Sequence, residues 1–139
     1  MSEAAVTSDQ YLLWDFLNHR GENEILAWVR KDKLTTGDRA KLNQKLRRLV
    51  QIDYDLAINS KLLQGPIYKH VYKLKIHGDV MLRPMLCRGP IDNDAEYTLL
   101  HGAVETGGKL PGGSREQAEA NRGIVIADQK RRCRHVPIP

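Results

Sequence analysis

The sequence predicts an α+β domain with a mostly antiparallel sheet of about four strands, two N-terminal helices on one face and a C-terminal helix. Apolar and charged residues alternate with period two in the segment 72–76, which is typical of a strand with one buried face. An apolar stripe with helical spacing runs through residues 38–51. A Gly78-Asp79 pair between two apolar segments indicates a hairpin turn.

The first half of the chain supplies one strand and the two N-terminal helices. Residues 11–17 alternate as a short strand, and residues 22–30 form a short helix with acidic residues in its first turn. Thr35 and Asp38 make a capping-box pattern at the start of the second helix. The buried stripe of that helix is expected to consist of Leu42, Leu46, Leu49 and Val50.

The second half supplies three consecutive strands and the last helix. In the first strand Leu74 and Ile76 share the face that we expect to pack on the stripe, while Lys73 and Lys75 share the open face. The next two strands cover residues 80–87 and 97–105. Pro84 removes a backbone donor inside a strand and therefore predicts a bulge or an unpaired position. The final helix begins at Ser114 and is expected to end near Ala127.

Charge and composition divide the chain into three parts. Residues 1–10 are polar and predict a disordered segment, residues 11–128 form the domain, and residues 129–139 predict a basic flexible tail that the fold does not need. Lys and Arg number 22 against 17 acidic residues, a net charge of +5. This balance favours a polyanionic or acidic protein partner, although a merely solubilising surplus is the alternative.

Several classes of protein are disfavoured. The two cysteines, Cys87 and Cys133, make no disulfide framework and lack the paired spacing of a zinc site, so we expect neither a metal nor a cofactor. No secretion signal and no apolar run of membrane-spanning length stands out in the sequence. We therefore expect a cytoplasmic protein with reduced thiols and no membrane partner.

Several short motifs resemble one family. They are YKLKI at residues 72–76, a strand with Arg83, LLHG at residues 99–102 and the helix opening SREQAEANR. In this order they are similar to the RelE/ParE superfamily of toxin–antitoxin toxins, most closely its phage-derived, HigB-like branch, over residues 11–128. The resemblance implies a RelE-like domain that cleaves mRNA on the ribosome without a metal or small-molecule cofactor, and a cognate antitoxin protein as second partner. The ribose 2′-OH would attack the adjacent phosphate.

The resemblance also implies roles for particular residues. Arg83 would clamp the phosphate through its planar fork, and Lys73 or Lys75 would act as its acid/base partner. His101 would be an acid/base or base-stacking group. Apart from the resemblance, the clustered positive charges predict RNA binding by the tail, with a solubilising or antitoxin-facing tail as the alternative. The expected RNA-binding residues are Lys109, Lys130, Arg131, Arg132 and Arg134.

Other interpretations stay open. The residues Ala103, Val104, Glu105 and Thr106 stand where the HigB-like branch typically has Phe-x-Lys-Lys. Glu105 and Thr106 favour a catalytically silent, phage-encoded binding module, whereas Lys73, Lys75 and Arg83 favour a nuclease. A gyrase-directed toxin of the ParE type is a third possibility. The open face could also be merely solvated, and His101 could be a packed strand histidine.

Overall fold

A computed structural model describes residues 9–139, so all of the predicted disordered segment except Asp9 and Gln10 lies outside the described residues. One sheet of seven strands has the order β2-β3-β5-β6-β1-β7, with β4 paired to β5. The strands are β1 Leu12–Phe16, β2 Leu63–Tyr68, β3 Val71–Leu74, β4 Ile76–His77, β5 Met81–Arg88, β6 Glu96–Glu105 and β7 Arg132–Arg134. The helices are α1 Glu24–Lys31, α2 Thr36–Gln51, α3 Tyr54–Asn59 and α4 Ser114–Ala127.

The prediction of a mostly antiparallel sheet of about four strands is wrong. The sheet has seven strands and is mixed, because β1 pairs in parallel with β6. β7 adds antiparallel to β1, and β2 adds antiparallel to β3. β2 contains Gly65 and Pro66, residues that disfavour a strand. It is nevertheless a strand because it lies at the edge of the sheet, where the backbone donor that Pro66 lacks is not needed for pairing.

The main core lies between the sheet and the helices α1 to α3. Leu74 and Ile76 are fully buried in the same cluster as the α2 stripe, as the alternating pattern predicts. The predicted capping box is also confirmed: the Thr35 Oγ1 accepts from the Asp38 amide, and an Asp38 carboxylate oxygen accepts from the Thr35 amide, both at 3.1 Å. Among the described helices none is long and apolar enough to cross a bilayer.

The opposite face of the sheet is covered by α4. Here Val71, Met85 and Leu100 form a smaller buried cluster with Ala118 of the helix. Pro84 itself stands in register with Gly102, and the register of β5 against β6 shifts close by, between Met85 and Leu86. Since α4 covers only part of this face, the ends of β3 and β5 that lie away from it carry polar side chains.

The C-terminal residues correct the expectation of a flexible tail. A 3-10 turn at Gln129–Arg131 leads into β7, which pairs with β1. Farther on, the Ile138 side chain is buried, and the Asn43 side-chain amide bonds both its backbone oxygen at 2.9 Å and its backbone nitrogen at 2.8 Å. Residues 129–139 are therefore part of the fold. Their basic composition conceals this because Arg132 is paired with Glu96, which lies far away in the sequence.

Candidate functional site

Two of the predicted cations meet on the α4 side of the sheet. Lys73 on β3 and Arg83 on β5 both approach Glu105 at the end of β6. The Arg83 Nη2 donates to the Glu105 Oε1 at 2.9 Å, and the Lys73 Nζ lies 3.8 Å from the Oε2. The adjacent strands thus place one carboxylate between two cations, and we call these three residues the Glu105 cluster.

Arg83 is the most deeply buried member of the cluster. Its side chain is 1% exposed, and its Nη1 donates to the Leu82 carbonyl oxygen at 2.9 Å. The Nε atom has no hydrogen-bond partner among the described residues. The guanidinium is therefore committed to Glu105 and to the backbone, and it does not open to solvent as a phosphate clamp would.

Glu105 is held in its charged form. The hydrogen bond from Arg83 lowers the pKa of Glu105, burial opposes this, and the charges of Lys73 and Lys75 add to the lowering. The carboxyl group is consequently ionised near neutral pH. Arg83 on β5 pairs with Ala103 on β6, so Glu105 lies diagonally opposite Arg83. Given this register, the sequence identifies Glu105 as the carboxylate able to pair with Arg83.

The Glu105 cluster opens into a cavity of about 590 Å³. Three cations, Lys73, Lys109 and Arg115, and two acids, Glu105 and Glu116, line it together with Ile67 and the glycine-rich loop before α4. Gly113 caps the helix at φ +82°, a backbone conformation that favours glycine, and no side chain caps the first turn. The Ser114 amide donates to the Pro111 carbonyl oxygen at 3.2 Å, but the positive end of the helix and the three lining cations still make the cavity suited to an anion. We call it the cation cavity.

Lys75 is exposed near this cavity, whereas His101 lies outside it. The His101 Nδ1 is 3.1 Å from a Glu24 carboxylate oxygen in a smaller cleft of about 320 Å³ beside α1. The hydrogen bond with His101 lowers the pKa of Glu24, against the effect of burial. The two cavities share Pro111 and Ser114, so His101 is a neighbour of the cation cavity without lining it.

The four cations of the C-terminal segment do not act alike. Arg132 forms a two-pronged ion pair with Glu96 at 2.7 and 3.1 Å, with both side chains 6% exposed. Arg131 donates its Nε to the Leu17 carbonyl oxygen. Lys130 and Arg134 are exposed. β5, β6 and β1 stand between β3 and β7, so these residues are remote from Lys73.

Metal ligands do not gather within residues 9–139, where no group of three His, Cys, Asp or Glu side chains is close enough to hold an ion. Both cysteines are free thiols. Burial raises the pKa of the Cys87 thiol to about 12, so that thiol is a poor nucleophile at neutral pH.

Neither a protein-family model, nor a curated protein, nor a solved structure matches this chain. Its function is therefore inferred from the arrangement of its own side chains.

Proposed function

We propose that the protein is a toxin-like mRNA endoribonuclease that acts on the ribosome and is restrained by an antitoxin protein, with the cation cavity as its active site. The observation that carries this proposal is an ionised carboxylate, Glu105, fixed between Lys73 and Arg83 on the wall of a cation-lined cavity. The likeness of residues 11–128 to HigB-like toxins supports the same activity.

The proposed reaction needs a base, a cationic environment and a proton donor. Glu105 takes the proton of the ribose 2′-OH, and the 2′-oxygen attacks the adjacent phosphorus. The P–O5′ bond breaks, which leaves a 2′,3′-cyclic phosphate on one product. Lys73 gives a proton to the departing 5′-oxygen, so that the other product ends in a 5′-OH.

The surrounding cations stabilise the charge that develops on the phosphorane. Lys109 and Arg115 line the cavity, and Lys75 lies nearby on the open face. Oriented donors around a developing anion act most strongly where water is partly excluded. In this scheme Arg83 is a positioning residue: it orients Glu105 and does not touch the phosphate.

One observation favours a catalytically silent binding module instead. Arg83 and Glu105 bind each other in a largely buried ion pair, so neither side chain is free to act on a substrate. In that case the exposed cations Lys75, Lys109 and Arg115 would bind RNA without cleaving it.

The test is controlled expression in bacterial cells without an antitoxin, with growth and mRNA ends measured together. We expect growth arrest and new mRNA ends from the wild type. Glu105→Gln and Lys73→Ala should each lower the cleavage rate by about 10²–10⁴-fold, because each removes a proton-transfer group. Lys41→Ala is the matched control, since Lys41 is exposed on α2 across the sheet.

Folded Glu105→Gln protein that cleaves mRNA as fast as the wild type would refute the proposed base. Abundant wild-type protein that binds RNA but leaves mRNA intact would instead establish the binding module.

A further inference from the structure

A second large cavity lies on the other face of the sheet, away from the Glu105 cluster. It has a volume of about 500 Å³ and lies between α2 and the two terminal segments of the chain. Its buried apolar wall is formed by Tyr11, Leu13, Leu46 and Val50. We call it the α2 cavity.

The chain closes this cavity at two ends. At one end Asn43 holds the backbone of Ile138 through two hydrogen bonds. At the other end the carbonyl oxygen of Val50 accepts from the amides of Gln10 at 2.7 Å and Tyr11 at 3.2 Å. Asn43 and Val50 are seven residues apart on α2, so the opening is roughly 10 Å long. An extended peptide fits only about three residues in that length, whereas a fused-ring molecule fits whole.

Besides its apolar wall the cavity has six polar lining residues, namely Asp9, Asn43, Gln44, Arg47, Arg134 and His135. Arg47 lies at its mouth and is exposed. The His135 Nδ1 is 2.9 Å from the buried Asp15 carboxylate, which fixes the orientation of the imidazole ring. Arg134 also lines the cavity, but its guanidinium carbon lies 5.5 Å from the centre of the Trp14 ring. Arg47 forms no ion pair, side-chain hydrogen bond or aromatic contact among the described residues, so it is the lining cation that we assign to the ligand.

We propose that the α2 cavity binds a small, flat, apolar molecule that carries one anionic group, with its rings on the apolar wall and its anion at Arg47. A cavity of about 500 Å³ that combines an apolar wall with placed polar groups is of the size and kind that binds small molecules. This site is independent of the proposed ribonuclease activity, because none of its lining residues belongs to the cation cavity.

The experiment uses anilinonaphthalene sulfonate, a fluorescent fused-ring anion, as the probe for the full chain. We expect saturable one-to-one binding, with amide NMR shifts confined to residues around Leu13, Leu46 and His135. Arg47→Ala should weaken the affinity by roughly tenfold or more, because a hydrogen bond to a charged group is lost. Arg48→Ala is the matched control, since Arg48 is the next residue of the same helix, is also exposed and does not line the cavity.

A second variant, Ala40→Trp, fills the cavity from an exposed position of α2 and should abolish binding. Far-ultraviolet circular dichroism checks that each variant is folded, since the probe also binds loosened cores. The proposal is overturned if the wild type shows no saturable binding at millimolar probe. It is equally overturned if Arg47→Ala and Ala40→Trp bind as tightly as the control.

Discussion

Removing residues 130–139 is expected to unfold most of the protein. The truncation deletes β7, and it also deletes partners of two buried acids. Glu96 loses Arg132, and Asp15 loses His135. It further removes Ile138, which is 5% exposed.

The size of the loss follows from these contacts. Leaving one member of a buried ion pair unpaired costs about 3–5 kcal/mol, and both Glu96 and Arg132 are 6% exposed. Loss of the buried Ile138 side chain costs about 2–5 kcal/mol more. A domain's whole free energy of unfolding is about 5–15 kcal/mol. The free energy of unfolding of the truncated chain should therefore be close to zero or negative.

Urea denaturation followed by circular dichroism measures the effect. Ile138→Ala should be folded but destabilised by about 2–5 kcal/mol, and removal of the exposed Pro139 alone is the matched control with no expected change. If the truncated protein kept the full-length midpoint, the C-terminal segment would be the dispensable tail that its composition suggests, and its contacts would contribute little.

Three further predictions concern single sites. Gly102→Ala should lower the free energy of unfolding by about 1–3 kcal/mol, because an added Cβ would overlap the Trp28 ring, and an unchanged urea midpoint would contradict this. Burial raises the pKa of Glu96, but its ion pair and backbone hydrogen bonds outweigh burial and hold that pKa below its usual value. The stability that Glu96 contributes should thus be complete above about pH 4.3, and it should be lost as the pH falls through the lower pKa of the folded state. In Glu96→Gln the melting temperature should therefore fall less steeply with acidification than in the wild type. A thiol-reactive disulfide reagent at mildly alkaline pH should modify Cys133 before Cys87, whose thiol is buried with a pKa of about 12, while the denatured chain should show both thiols at once.

Local patterns predicted the elements that depend on local physics. The α2 helix follows from its capping box and from the spacing of Leu42, Leu46 and Leu49. The burial of Leu74 and Ile76 follows from strand alternation. Each of these features is decided within a few residues of sequence, where propensity and periodicity operate.

Long-range pairing could not be predicted in the same way. β1 lies beside β6, although the two strands are separated by three helices and four strands. β7 is only three residues long and includes two arginines, so its strand character depends on Glu96 and Trp14, which no nearby pattern reveals. Edge pairing of this kind is chosen by tertiary contacts.

The candidate site was predicted in part. Lys73 and Arg83 do converge on one carboxylate. The sequence predicts that Arg83 clamps a phosphate, whereas in the fold Arg83 is buried against Glu105. In the sequence Glu105 departs from the nuclease pattern, and its contact with Arg83 becomes visible only when the register of β5 and β6 is known. His101 lies apart, since Glu24 of α1 holds it in a separate cleft.

The chemistry of the cleaved RNA ends tests the central proposal most directly. Purified protein is added to ribosomes translating a defined mRNA, and the new ends are analysed. Attack by the 2′-OH predicts a 2′,3′-cyclic phosphate upstream and a 5′-OH downstream, with the yield strongly reduced by Glu105→Gln and unchanged by Lys41→Ala. Ends carrying a 3′-OH and a 5′-phosphate, or mRNA left intact by the folded protein, would contradict the assignment of the Glu105 cluster as a ribonuclease site.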